Sequence, residues 1–121
     1  MKVAIRYLHS PDIYDLTTYV PFDRDNVGFL LQVMAGPETD EGCESFDVQV
    51  CTPKWLLNHC SKEEVIIGRH YLIMGEYDYS RLLARISAYC SRIEGSTWEE
   101  LAEKLGRLGK WEFEDYEPYK N

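Results

Sequence analysis

Cys51, Cys60 and Cys90, together with His59 and His70, are the residues of this chain whose types could build a nucleophile. An imidazole beside a thiol draws off its proton, and the thiolate left behind is reactive. Their placement argues for a quieter role. Cys90 falls on the apolar stripe of a helical segment and Cys51 closes a strand just before a helix, so both are expected to be core thiols. Zinc chemistry is no better served. Cys43, Cys51, Cys60 and Cys90 include no C-x-x-C pair, and no histidine stands at ligand spacing from them. His59 and Cys60 are adjacent, and neighbouring helical side chains diverge by about 100°. Reduced cysteines point to the cytoplasm, with no metal and no cofactor expected.

Carboxylates are abundant, yet general acid–base work needs one of a pair raised in pKa by a partly apolar cleft. Here they crowd a loop and the carboxyl end, where solvent screens them, and no catalytic residue stands out. G-x-S-x-G, phosphate-loop, H-E-x-x-H and dinucleotide patterns are all missing. The chain is not expected to be an enzyme. Two acidic clusters fit binding better. The first runs through Glu38, Asp40, Glu41, Glu44 and Asp47 with no basic residue among them. The second is Glu112, Glu114, Asp115 and Glu117, interleaved with Trp111, Phe113, Tyr116 and Tyr119. In captures of basic proteins, carboxylates steer the encounter and aromatics supply the buried anchors. A solvated hairpin tip, and a tail whose Trp111 and Phe113 only close the core, would give the same residues.

Composition agrees. A chain of 121 residues fits one domain, expected to span 1–121, and is long enough to bury a core without disulfides or a structural metal. With 45% hydrophobic and 28% charged residues it is expected to fold rather than stay disordered. A net charge of −8 repels phosphate backbones and anionic lipid. Neither nucleic acid nor membrane is therefore an expected partner. A charge at Arg6 interrupts the amino end before any apolar run develops, so no signal peptide or spanning helix is expected.

The elements that must position these residues follow from periodicity. Lys2 to Leu8 alternates, with Val3, Ile5 and Tyr7 on one face, as a half-buried strand. Ser10 to Asn26, with Pro11 and Pro21, is a long connection holding a turn of helix around Ile13 to Leu16. Val27 to Ala35 is apolar at nearly every position, which predicts a central strand covered on both faces. Gly36-Pro37 stops it, the acidic loop turns the chain, and Glu44 to Thr52 returns with Phe46, Val48 and Val50 inward as a hairpin partner. Thr52-Pro53 starts a short helix against the sheet, ending near Cys60-Ser61. Arg69 to Glu76 is a strand, which Val65 to Gly68 either begins or bends into.

Asp78 caps a helix to about Glu94, with Leu82, Leu83, Ile86, Tyr89, Cys90 and Ile93 on its buried stripe. Ser96 or Thr97 caps the next, whose face is Trp98, Leu101, Ala102, Leu105 and Leu108 and which Gly109 stops. Lys110 to Tyr116 is a short last strand or an extended tail. Strands first and helices later give an α+β fold: an antiparallel sheet of about four to five strands with two longer helices and one short helix packed on it.

Several of these segments are similar to one known family. Gly42 to Val48, Val50-Cys51-Thr52-Pro53-Lys54-Trp55-Leu56 and Trp111 to Tyr116 resemble the immunity protein 8 family, as do Gly68-Arg69-His70, Tyr77-Asp78-Tyr79 and Trp98-Glu99-Glu100. The likeness runs from about Phe29 to Tyr116. It implies an α+β protein encoded beside a bacterial polymorphic toxin gene, which binds and neutralises its cognate toxin. The family supplies no contact residues. The acidic clusters are therefore the expected toxin-binding sites: Glu38, Asp40, Glu41, Glu44, Glu112, Glu114, Asp115 and Tyr116. The expected partner is a basic toxin domain, such as a nuclease, with the chain itself a monomer or weak homodimer. The competing reading is a small enzyme or ligand-binding protein with a pocket between sheet and helices.

Overall fold

The computed structural model describes residues 1–116. The amino-terminal alternation forms β1 (Val3–His9), antiparallel to β2 (Gly28–Pro37). β2 turns into β3 (Glu44–Cys51), in unbroken register from Gly28 opposite Cys51 to Ala35 opposite Glu44. There follow α1 (Pro53–His59), β4 (Tyr71–Ile73), α2 (Tyr79–Ser91), α3 (Trp98–Leu105) and β5 (Lys110–Trp111). This is the expected α+β architecture. The sheet order is β1-β2-β3-β4, with β5 also bonded to β3. β4 runs parallel beside Gln49 to Cys51, while β5 runs antiparallel beside Phe46 and Asp47. Two short strands thus share the outer edge of β3, and the sheet is mixed rather than wholly antiparallel. A parallel neighbour needs a crossover of about a dozen residues or more, which α1 and the segment after it supply.

One face of the sheet carries the core. Phe29, Leu31, Val33 and Ala35 of β2 and Phe46, Val48 and Val50 of β3 meet Leu82, Ile86 and Cys90 of α2 and Leu101, Ala102 and Leu105 of α3. The other side of β2 does not match its expected burial on both faces: Leu30, Gln32 and Met34 are only half-buried. Two helices cover one face, and α1, which has no buried residue of its own, shields the other incompletely. Trp55 nevertheless lies directly over Gly28, where a Cβ would meet its indole at 2.1 Å.

Tyr7 also departs from expectation. The register skips between Ile5–Ala35 and Tyr7–Met34, which leaves Arg6 as a bulge. An extra residue reverses the alternation. Val3, Ile5 and Leu8 therefore pack on the core while Tyr7 is exposed.

The helix starts follow their side chains. Thr52 Oγ1 accepts the Trp55 amide at 3.4 Å, Asp78 Oδ1 that of Arg81 at 3.0 Å, and Thr97 Oγ1 that of Glu100 at 3.2 Å. Thr97, not Ser96, is therefore the cap of α3, and Glu100 reaches back to the Ser96 amide at 2.8 Å. The ends come earlier than expected: α2 stops at Ser91 and α3 at Leu105, capped by Gly106 rather than Gly109. Gly109 serves packing instead, since a Cβ there would meet Val48 at 2.8 Å.

Candidate interaction site

The two acidic clusters, far apart in sequence, meet at one end of the sheet. They join at Glu44, whose Oε1 accepts Trp98 Nε1 at 3.0 Å and whose Oε2 accepts Trp111 Nε1 at 2.6 Å. Backbone bonds add to the join. Glu112 donates its amide to the Ser45 carbonyl at 3.1 Å, and its carboxylate accepts the Ser45 amide at 2.8 Å. Glu44 and Glu112 are thus occupied in holding the carboxyl end against β3. Asp47 accepts from Gln32 at 3.3 Å and is likewise engaged.

The hairpin tip is less free than its sequence suggests. Arg6, displaced by the bulge in β1, donates to the carbonyls of Pro37 at 2.8 Å, Gly42 at 3.4 Å and Asp40. A cation therefore underlies the cluster that reads as purely acidic. Asp40 Oδ1 accepts the Gly42 amide at 2.8 Å and shapes the turn. Glu38 and Glu41 remain exposed, with no ion pair among the described residues.

The carboxyl-terminal cluster builds a cleft. Only Lys110 and Trp111 pair as β5; beyond them the chain turns, with the Glu114 amide on the Trp111 carbonyl at 2.9 Å and the Tyr116 amide on the Phe113 carbonyl at 3.0 Å. Asp115 takes the left-handed conformation at φ 56°, which Asp tolerates better than most residues. Against α3 this turn leaves an open cleft of about 540 Å³. Its acidic wall is Glu99, Glu103, Glu114 and Asp115, and its aromatic wall Trp111, Phe113 and Tyr116.

The aromatics form a continuous ladder from core to water. Phe46, fully buried, stacks on Trp111 at 6.4 Å; Trp111 meets the edge of Phe113 at 5.8 Å, and Phe113 that of Tyr116 at 5.4 Å. Tyr116, at 62% exposure, is its open end. Glu114 is bonded through both oxygens to Arg69, at 3.2 and 2.5 Å, whereas Glu99, Glu103 and Asp115 have no ion pair among the described residues. Glu99 and Glu103 are not among the expected toxin-binding residues because they stand in the helical segment, outside both acidic clusters of the sequence. Their i, i+4 spacing on one side of α3 was the available signal. Glu117 and Tyr119 lie outside the described residues.

The nucleophile candidates do not assemble. His59 Nδ1 donates to the Trp55 carbonyl at 2.8 Å with its ring stacked on that indole, and His70 Nε2 to the Gly106 carbonyl at 2.6 Å. Burial pushes the Cys51 thiol up, and that of Cys90 up to about 11, which keeps both protonated at neutral pH. Among the described residues no three His, Cys, Asp or Glu side chains are grouped to hold a metal ion, and no helix is long and apolar enough to cross a membrane.

A family model described as Immunity protein 8 matches residues 3–116. The match includes the segment before Val27, on which the sequence resemblance did not rest. No curated protein and no solved structure gives a match.

Proposed function

The chain belongs to the immunity protein 8 family, and we propose that it neutralises a cognate bacterial toxin by stoichiometric binding in the cytoplasm, without catalysis. The observation that carries the choice of surface is the aromatic ladder ending at Tyr116 among Glu99, Glu103 and Asp115, carboxylates with no ion pair among the described residues. A ladder footed in the core holds its exposed end in place before binding, so little side-chain entropy is lost when a partner covers it. Carboxylates around such an anchor favour a cationic surface and speed its approach. Toxins that act on nucleic acid carry such a surface, which makes a basic nuclease domain the best-fitting target. Glu38 and Glu41 at the neighbouring hairpin extend the same negative field. Glu44 and Glu112 support it from beneath.

The test is co-expression with the toxin domain encoded beside this gene. Rescue of growth, together with co-purification at a fixed molar ratio, is the expected result. Rescue without a stable complex would overturn the binding mechanism and return attention to catalysis.

A further inference from the structure

The connection of residues 10–26 is fastened to the core and to β2, yet it holds Tyr14, Val20 and Phe22 in water. Leu16 is in the core, with Ile13 and Tyr19 packed against it, and the Tyr19 ring meets Phe29 at 6.3 Å and Tyr77 at 5.5 Å. Asp12 Oδ2 accepts the Leu30 amide at 2.9 Å, which fastens the segment beside β2 past the end of β1. Asp15 Oδ1 accepts the Thr17 amide at 2.9 Å, and the Arg24 carbonyl accepts the Tyr77 amide at 2.7 Å. Lys54 at the start of α1 holds Asp23 at 3.4 Å and Asp25 at 3.6 Å.

On this frame Tyr14 is 107% exposed, Phe22 109% and Val20 72%. One exposed apolar residue on a surface needs no explanation. Here two aromatics and a valine stand out within one fastened segment, each aromatic flanked by carboxylates: Asp12 and Asp15 about Tyr14, Asp23 and Asp25 after Phe22. Folding gains nothing from leaving these rings in water, whereas covering an aromatic removes about 150–250 Å² from solvent. The segment's four Asp exceed its one cation, Arg24, and remain in excess when Lys54 is added. Charge complementarity therefore selects a basic occupant.

We infer that residues 12–25 form a second contact surface for a basic protein, with Phe22 and Tyr14 as its apolar anchors. This inference rests on the proposed function, and its partner is the same toxin domain. The segment is fastened to β2 at Leu30, on the β1 side of the sheet, whereas the cleft is built on β5, which pairs with Phe46 and Asp47 on the far edge of β3. The two surfaces share no residue.

The experiment uses the full chain and the toxin domain encoded beside it, with Phe22→Ala measured for binding and Tyr14 followed by nitration and peptide mapping. Phe22→Ala is expected to weaken the complex at least about tenfold, with circular dichroism and melting unchanged because its side chain is fully exposed. Tyr14 is expected to nitrate quickly in the free chain and slowly in the complex. A loss under about fivefold, or equal nitration of Tyr14 free and bound, overturns the inference while a tight wild-type complex leaves the proposed function standing. Absence of any wild-type complex overturns both.

Discussion

Glu44 on β3 accepts a 2.6 Å hydrogen bond from the indole of Trp111 on β5, its partner across 67 residues of sequence. Its other oxygen takes Trp98 at the start of α3. One carboxylate thus ties the hairpin strand to both elements that frame the cleft. It separates structural from exposed acids in a cluster that is uniform in sequence.

Glu44→Ala leaves two half-buried indole N–H groups without their acceptor. Bonds to a charged acceptor contribute about 1.5–3 kcal/mol each, less where water can replace them, so a total loss of about 2–3 kcal/mol is expected. Urea unfolding followed by tryptophan fluorescence reads it directly. Glu41→Lys, on the exposed tip, should change stability by less than about 0.5 kcal/mol. Equal effects at the two positions would refute the division of roles.

Gly28 is a close-approach glycine. The Cβ of Gly28→Ala would lie 2.1 Å from the Trp55 ring, so the indole must move and α1 with it. Overpacking of this kind costs about 1–3 kcal/mol. The cycle with Trp55→Leu is the control: in that background the added methyl should cost much less, and a fixed cost would place the strain elsewhere.

The thiols should separate by burial. Cys43 is exposed, whereas Cys51 and Cys90 are buried. At pH 8 a maleimide is expected to label Cys43 in the native chain, and Cys51 and Cys90 only after unfolding. Cys90 also links folding to pH. Its thiol rises from 9.0 to about 11 on burial, so the unfolded chain loses that proton first. The contribution is intact below pH 9 and falls as pH rises from 9 toward 11. Rapid native labelling of Cys90 at pH 8 would contradict the packing of α2.

Much of the fold was legible because single residues specify it. Thr52-Pro53, Asp78 and Thr97 start helices through their own side chains, and the alternation in Glu44 to Cys51 assigns its inner face. What failed was set by distant partners. Nothing local marks Arg6 as a bulge; its reach to the hairpin carbonyls does, and Tyr7 is turned outward in consequence. The apolar run of β2 suggested two covered faces, but how many helices cross a sheet is a tertiary fact. At the site, the two acidic stretches were visible as composition. Their meeting at Glu44, and the addition of Glu99 and Glu103, depended on where α3 docks.

The cleft makes a kinetic prediction that distinguishes steering from anchoring. Glu103 is exposed on α3 and Asp115 is exposed in the terminal turn, so neither holds the fold together. Glu103→Lys and Asp115→Asn are suitable because Asn also tolerates the left-handed backbone at position 115. At low ionic strength the pair should slow association with the toxin domain by about tenfold, an effect that shrinks as salt shortens the screening length to a few Å. Tyr116→Ala removes an anchor rather than a charge. It should leave association nearly unchanged and speed dissociation by about tenfold or more at any salt. Stopped-flow association and surface-based dissociation measure the two rates separately. If charge reversal at Glu103 left association unaltered at low salt, the carboxylates would be no more than a solvated helix face. If Tyr116→Ala dissociated as slowly as wild type, the ladder would serve only to close the core over Phe46.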